Sequence, residues 1–371
     1  MTLSKTESGQ NPAIAGERAR VLSGMRPTGR LHLGNYMGAL YNWVKLQHAY
    51  ECYFFIADWH ALTTDYADTS KINANIDDVV LDFLAAGLDP KLCTIFIQSA
   101  VPAHAVLNLL LSNITPVTWL ERVPTYKDQQ EQLKEKDLAT FGFLGYPLLQ
   151  SADILLYKPK YVPVGQDQAA HVEITREIAR RFNHIYAAKP TAALEEARSD
   201  KEKLTAELSQ MDPLREVLPE PAVLLTPSPK LPGLDGRKMS KSYGNTILLS
   251  ETEPDIRAKL KTMVTDPARV RRTDPGNPDV CPVFDLHKVF SSEEVQTEAA
   301  EGCRTAGIGC IQCKGWLADA VVKELKPIQE RRAYFEAHPE EVAAILEAGN
   351  LKASERANQT MSDVRKAMGL R

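Results

Sequence analysis

Residues 19–60 read ARVLSGMRPTGRLHLGNYMGALYNWVKLQHAYECYFFIADWH. Two short apolar runs, ARVLSGM and CYFFIADWH, each end in turn-forming residues, and GNYMGALYNWVKLQHAY between them has helical spacing. The alternation continues downstream. Residues 69–86 read as a helix and TIFIQS, 94–99, as a strand, which predicts an α/β fold with a parallel sheet covered by helices. Sheets of this kind bind nucleotides at the carboxyl edge of their strands.

From Ala103 to about Tyr157 the strand signals vanish and apolar residues recur at helical spacing, which predicts a helical insertion. YVPVG, 161–165, restores a strand, and QDQAAHVEITREIARRF, 166–182, reads as the helix after it. The Pro-, Ala-, Glu- and Lys-rich stretch from Lys189 to Leu231 reads as an exposed helix flanked by loops and carries no functional signal. Beyond Ser250 nearly everything is helical, interrupted by TDPGNPDVCP, 273–282. The expected organisation is a tail over 1–18, an α/β unit over 19–250 and an all-helical second domain over 251–371. The 371 residues suffice for two units with sizeable cores.

A net charge of −4 does not exclude nucleic acid, because phosphate contacts depend on local basic patches, and RVRR, Arg269–Arg272, is one. The polar first residues lack the apolar core of a signal peptide, and no apolar run approaches the roughly 20 residues that cross a bilayer. A cytoplasmic protein without a membrane association is expected. In a reducing compartment clustered cysteines read as metal ligands or redox groups. Cys281, Cys303, Cys310 and Cys313 form C-x21-C-x6-C-x2-C inside the helical region, four thiols for four ligand positions. Sequence leaves the metal open between zinc and iron–sulfur. Cys52 and Cys93, each isolated beside a strand, read as small core residues.

Two loops carry phosphate chemistry. RPTGRLHLGNYMGAL, 26–40, spaces Gly29, Gly34 and Gly38 through a turn that becomes a helix, where free amides and the helix dipole favour an anion. His32 adds a neutral donor. GRKMSKSYGN, 236–245, places Lys238 and Lys241 on a loop beside the hydroxyls of Ser240 and Ser242, a suitable grip for a polyphosphate whose charge shifts during reaction. A third segment, YPLLQSADILLY, 146–157, puts Tyr146, Gln150 and Asp153 on one helical face. Asp153 lies among apolar neighbours, so its burial calls for a partner.

HLGN and KMSKS resemble the two signatures of class I aminoacyl-tRNA synthetases, the first departing from the usual HIGH form at Leu33 and Asn35. SGMRPTGRLHLGNYMGAL, IADWHALT, LERVPTYK, YPLLQSADILLY, VPVGQDQAAHVEITREIARRFN and KMSKSYGN are similar, in order, to the bacterial tryptophanyl-tRNA synthetase family, from about Val21 to the C-terminus. The stretch from Lys189 to Leu231 looks longer than in typical members. The resemblance implies a Rossmann-like catalytic domain and a C-terminal anticodon-binding domain. It implies a homodimer, with the helical insertion as the interface. It also implies that ATP, Mg²⁺ and L-tryptophan react to an adenylate and pyrophosphate, followed by transfer to tRNA(Trp). A tyrosine-specific enzyme on the same fold, and a non-catalytic RNA-binding or redox-sensing relative, are the alternatives.

By the resemblance, His32, Asn35, Lys238 and Lys241 do the chemistry. Arg26, Pro27, Thr28, Gly34, Asn35, Gly165, Gln166, Asp167, Lys238, Met239, Ser240, Lys241 and Ser242 contact ATP. Asp153 accepts the indole N–H, Tyr146 and Gln168 hold the ammonium end, and Gln150 and His60 line the tryptophan pocket. Arg26 stands where many members have glutamine, and Gln150 replaces a common apolar residue; Arg26 could pair with the tryptophan carboxylate or with a phosphate. Because a subset of the family carries a similar cysteine pattern, the resemblance favours a [4Fe–4S] cluster over zinc, placed remote from the adenylate.

Overall fold

The computed structural model describes residues 18–123, 139–165, 168–187, 216–225 and 229–371. Five strands, β1 (Arg20–Met25), β2 (Glu51–Ile56), β3 (Cys93–Ile97), β4 (Tyr161–Val164) and β5 (Ala222–Leu225), form one parallel sheet in the order β3-β2-β1-β4-β5. A parallel sheet is covered on both faces, and its strands are therefore continuously apolar. β2, ECYFFI, buries all but its first residue.

Helix α1 (33–46) links β1 to β2, with a π turn at Tyr36–Leu40 between its α-helical ends. α2 (Asp58–Asp65) and α3 (Ile72–Ala86) lie between β2 and β3. The expected insertion supplies α4 (Ala103–Ser112), α5 (Val117–Glu121) and α6 (Phe141–Tyr157), and α7 (Ala169–Phe182) follows β4. Beyond residue 250 come α8 (Glu253–Thr262), α9 (Pro282–Phe290), α10 (Glu293–Arg304), α11 (Cys310–Glu336) and α12 (Pro339–Met368). Among the described residues no helix is long and apolar enough to cross a membrane.

Alternating strand side chains build two cores. Val21, Phe54 and Ile95 face one side, in an apolar cluster that includes Val79 and Phe83 of α3 and Leu317, Val321 and Leu325 of α11. Leu22, Tyr53, Phe55 and Phe96 face the other, with Leu107 of α4, Leu155 of α6, Ile178 of α7 and Ala357 of α12. The C-terminal helices are therefore not an appended lobe with a private core. They close both faces of the sheet.

Two details depart from the sequence expectation. The stretch 189–231, read as an exposed helix and loops, contributes the edge strand β5, and the buried Leu218 and Leu231. Residues 189–215 and 226–228 lie outside the described residues, as do 1–17. AVLL, bounded by prolines, is too short for its period to register. At the other edge, α12 stands where a sixth strand would pair: Asn350 Oδ1 accepts the Ile97 amide at 3.0 Å. This docking demands Gly349, since a Cβ there would lie 1.8 Å from the Ile95 carbonyl oxygen.

Gly349→Ala is accordingly expected to cost stability by more than the 1–3 kcal/mol usual for overpacking, roughly 3 kcal/mol or beyond, because a backbone atom cannot rotate away. Urea unfolding measures it; a midpoint equal to wild type would show that α12 does not seat on β3.

Candidate active site

β1 and β4 are neighbours in the sheet but pair at one position only, Val21 with Tyr161, and part beyond it toward their carboxyl ends. The strand order reverses here, which is where ligands bind in open α/β sheets. A cavity of about 410 Å³ occupies the gap. Gly24 lines it from β1 and Arg26 from just after it, Gly165 from just after β4, His60 from α2, Tyr146, Gln150 and Asp153 from α6, and Gln168 and His171 from the start of α7.

The turn after β1 runs through Gly29, whose φ of +94° favours glycine, into His32, the N-cap of α1. His32 Nδ1 accepts the Gly34 and Asn35 amides at 3.0 and 3.3 Å, and Asn35 Oδ1 accepts the His32 amide at 3.1 Å, a reciprocal cap. This revises the expectation that free helix-start amides receive phosphate: His32 already occupies two of them. With Nδ1 as acceptor, the neutral ring carries its proton on Nε2, so the donor expected of His32 is retained. Burial, with Lys241 and Lys238 nearby, lowers the imidazole to about 4, so it stays neutral at physiological pH.

The second signature closes on the first. Lys241 Nζ donates to the carbonyls of Gly29 at 2.7 Å and Thr28 at 3.0 Å. Backbone bonds from Leu33 to Ile247 and from Leu249 to Leu31 fasten the segment after it to the His32 turn. Inside the loop, the buried Asn245 accepts the Ser240 amide at 2.8 Å and donates to Asp235 at 2.7 Å and to the Lys238 carbonyl at 3.2 Å. Met239 is buried beneath the loop, while Lys238 and Ser242 face solvent. Burial lowers Lys241 to about 8, against Asp82 and Asp78, which raise it.

On the cavity's far side Asp153 is 1% exposed. Its Oδ1 accepts from His104 Nδ1 at 2.6 Å and Gln98 Nε2 at 2.8 Å, and its Oδ2 from His60 Nε2 at 2.7 Å. Burial by itself would raise this carboxyl; the bonds from His104 and His60 outweigh it and hold the group at about 2. Gln150 accepts from His171 Nδ1 at 2.7 Å, and Tyr146 packs on the His171 ring. Arg26 donates to Thr64 Oγ1 at 2.7 Å, and its buried Nε has no partner among the described residues.

The predicted Tyr146, Gln150, Asp153, His60, Arg26, Gly165 and Gln168 thus meet at one cavity, and Pro27, Thr28, Gly34, Asn35 and the lysine loop meet at the adjoining turn. Gln166 and Asp167 lie outside the described residues. Gln98, His104, His171 and Asn245 were not singled out from sequence. A lone histidine in an apolar helix or a glutamine after a strand carries no spacing signal; only the fold aims Gln98 and His104 at Asp153 and His171 at Gln150.

The four cysteines converge, from the N-cap of α9 (Cys281), the last turn of α10 (Cys303) and the first turn of α11 (Cys310, Cys313). Burial, then Cys281, Cys303 and Cys310, push the Cys313 thiol up to about 12. Arg269 Nη1 lies 3.7 Å from Cys303 Sγ, and His287 Nε2 lies 3.4 Å from Cys313 Sγ. Among the described residues no three His, Cys, Asp or Glu side chains are drawn round one point tightly enough to hold an ion.

A parallel sheet that parts at its switch point, with a histidine-capped turn and a lysine loop bound together beside it, is the catalytic unit of a class I aminoacyl-tRNA synthetase. The family "tRNA synthetases class I (W and Y)" matches residues 15–326, and the chain belongs to it. It is 50% identical to the tryptophan–tRNA ligase of Ralstonia nicotianae, over 95% of this chain and 98% of that one. It is also 50% identical to the tryptophan–tRNA ligase of Thermotoga maritima, over 95% and 99%. The tryptophanyl-tRNA synthetase of Campylobacter jejuni, solved as a complex with ADP and tryptophan, superposes with a TM-score of 0.78 at 32% identity, over 95% of this chain and all of that one.

The His32 cap has a measurable signature. Its folded pKa lies below the ordinary value, so the unfolded chain binds the extra proton and stability falls as pH drops from about 6.5 toward 4, by roughly 2 kcal/mol at pH 5. His32→Asn keeps a capping acceptor that does not titrate. Its urea stability between pH 7 and 5 is expected to fall less than that of wild type by about this amount; parallel curves would contradict the buried neutral imidazole.

Proposed function

We propose that the chain attaches L-tryptophan to tRNA(Trp) in two steps. The tryptophan carboxylate attacks the α-phosphorus of ATP, which arrives with Mg²⁺ as part of the substrate; the bond to the β-phosphate bridging oxygen breaks and pyrophosphate leaves. The adenylate then passes the tryptophanyl group to the tRNA 3′ end and AMP is released. The observation that carries this reading is an acceptor-only carboxylate buried in the cavity at the switch point, with the lysine loop closed through Lys241 on the turn beside that cavity.

The attacking carboxylate is already ionised, so no protein base is required; catalysis comes from positioning and from stabilising charge as it moves onto pyrophosphate. His32, through Nε2–H, and Asn35 hold the phosphates. Lys241, placed by the Thr28 and Gly29 carbonyls, and the exposed Lys238 follow the leaving group. Pro27, Thr28, Gly34, Gly165, Gln166, Asp167, Met239, Ser240 and Ser242 cradle the nucleotide. Arg26, with an unpaired buried Nε, meets the amino-acid carboxylate or the α-phosphate. Asp153 accepts the indole N–H beside His60 and Gln150, while Tyr146 and Gln168 take the ammonium end. Relatives 50% identical and named tryptophan–tRNA ligase favour tryptophan over the tyrosine alternative. The juxtaposed Lys241 and His32 turn argue against a non-catalytic relative.

We propose also that the thiols of Cys281, Cys303, Cys310 and Cys313 hold a [4Fe–4S] cluster. The donor set fits in number and kind: four thiols at the neighbouring ends of α9, α10 and α11 match the four-cysteine ligation of such a cluster. When bound, the cluster would staple α9, α10 and α11 together. Beside it, Arg269, Arg271 and Arg272 line a surface cavity of about 620 Å³ with Cys310, a basic surface suited to the anticodon end of tRNA. A homodimer through the insertion is supported by the exposed Leu109, Val117 and Phe141. The cytoplasm is the expected compartment.

In ATP–pyrophosphate exchange across the twenty amino acids, tryptophan alone should support turnover, and Asp153→Asn should raise KM for tryptophan by about 10²-fold through loss of a charged acceptor. Exchange driven by another amino acid, or an unaffected Asp153→Asn enzyme, contradicts the assignment.

Cys310→Ser is expected to remove a visible iron–sulfur absorbance and to impair tRNA charging more than pyrophosphate exchange. Protein with neither iron nor sulfide refutes the cluster; equal loss of both activities refutes its place in tRNA recognition.

A further inference from the structure

Three residues bear on Asp153 without reaching the cavity. Gln98, His104 and Tyr157 are each fully buried, and none lines the space that His60 and Asp153 line. An ionised carboxylate is acceptor-only, with about two places on each oxygen. Gln98 and His104 fill both places on Oδ1. His60 takes one on Oδ2, leaving a single acceptor among the described residues.

The donors are themselves held in one orientation. Gln98 Oε1 accepts the Trp59 amide at 3.1 Å, so its Nε2 must point toward Asp153. His104 Nε2 lies 2.9 Å from the Tyr157 hydroxyl. Because His104 Nδ1–H donates to Asp153, a neutral ring has Nε2 bare, and Tyr157 O–H donates to it. The bonds run one way, from Tyr157 through His104 to Asp153. Tyr157 cannot swing aside, since its ring packs on Tyr53 and Phe96 with centroids 5.1 and 5.3 Å away.

We propose that Gln98, His104 and Tyr157 are positioning residues for amino-acid selection: they saturate Oδ1, fix the plane of the Asp153 carboxylate, and leave only the Oδ2 acceptor beside His60 for one heteroaromatic N–H. This rests on Asp153 being the indole acceptor. A carboxylate with Oδ1 open could turn within its socket or take up a proton. A ligand lacking the N–H would then leave no fixed acceptor unpaired, and discrimination would weaken.

The test compares L-tryptophan with β-(3-benzothienyl)alanine, which keeps the ring shape and replaces N–H by sulfur. The readout is the ratio of their kcat/KM values in pyrophosphate exchange, with KM for ATP as a control. Tyr157→Phe should narrow the ratio about three- to tenfold and Gln98→Met by about tenfold or more, with KM for ATP unchanged. His104→Asn, which keeps a donor toward Oδ1, should retain more of the ratio than His104→Leu. A merely structural role would slow both substrates alike. If Tyr157→Phe and Gln98→Met keep the wild-type ratio while Asp153→Asn collapses it, the positioning role is refuted and the acceptor stands. If Asp153→Asn also leaves the ratio unmoved, the acceptor reading falls with it. Tyr157→Phe is nearly isosteric, so the comparison survives a failure of the His104 variants to fold.

Discussion

A buried ion pair ties the catalytic turn to both halves of the molecule. Asp82 on α3 has no exposed surface; its Oδ2 accepts the Leu31 amide at 2.7 Å, and its Oδ1 is bonded by Arg332 of α11. Arg332 also bonds Asp78 at 2.7 Å. Burial pushes Asp82 up, opposed by Arg332 and the Leu31 amide. Such a pair adds little net stability over an apolar one, but removing one partner strands a buried charge at a cost of about 3–5 kcal/mol. Its effect is registration. Leu31 precedes His32, so the helix cap is set by a carboxylate that is itself set by a residue 250 positions away.

The same helix reaches the cysteines. α11 begins at Cys310 and carries Arg332 near its other end, about 33 Å away at 1.5 Å per residue. Gln329 donates to the Leu249 and Glu251 carbonyls just beyond the lysine loop. The cysteine-bearing end and the end bonded beside the lysine loop therefore share one helix. The charged groups are likewise placed by different elements: Lys241 by the carbonyls of the turn after β1, the Asp153 carboxylate by donors from α2, α4 and the residue after β3.

Much of this was legible beforehand, and the reasons differ by residue. Strands β1 to β4 and the helices between them announce themselves through apolar runs and period, and the glycine turn and lysine loop through residue types that suit polyphosphate. Tyr146, Gln150 and Asp153 share a helical face at fixed spacing, and the cavity lies along that face. β5 escaped because four apolar residues between prolines have no period to read. The saturation of the first-turn amides by His32 escaped because a histidine cap and a histidine donor look identical in a string of letters.

The sequence alone determined which chemical groups the chain carries, since a glycine turn, a lysine loop and a carboxylate in an apolar helix are properties of local composition and spacing. Tertiary structure alone decided how those groups are tuned. Asp153 is held low because His104 and His60 arrive from separate elements and outweigh its burial, His32 is neutral because it is buried beside Lys241, and α12 can seal the sheet only because Gly349 lacks a side chain. Each is a short-range effect between residues far apart in the chain, where burial and a few ångströms set the free energy, and a one-dimensional pattern holds no distances.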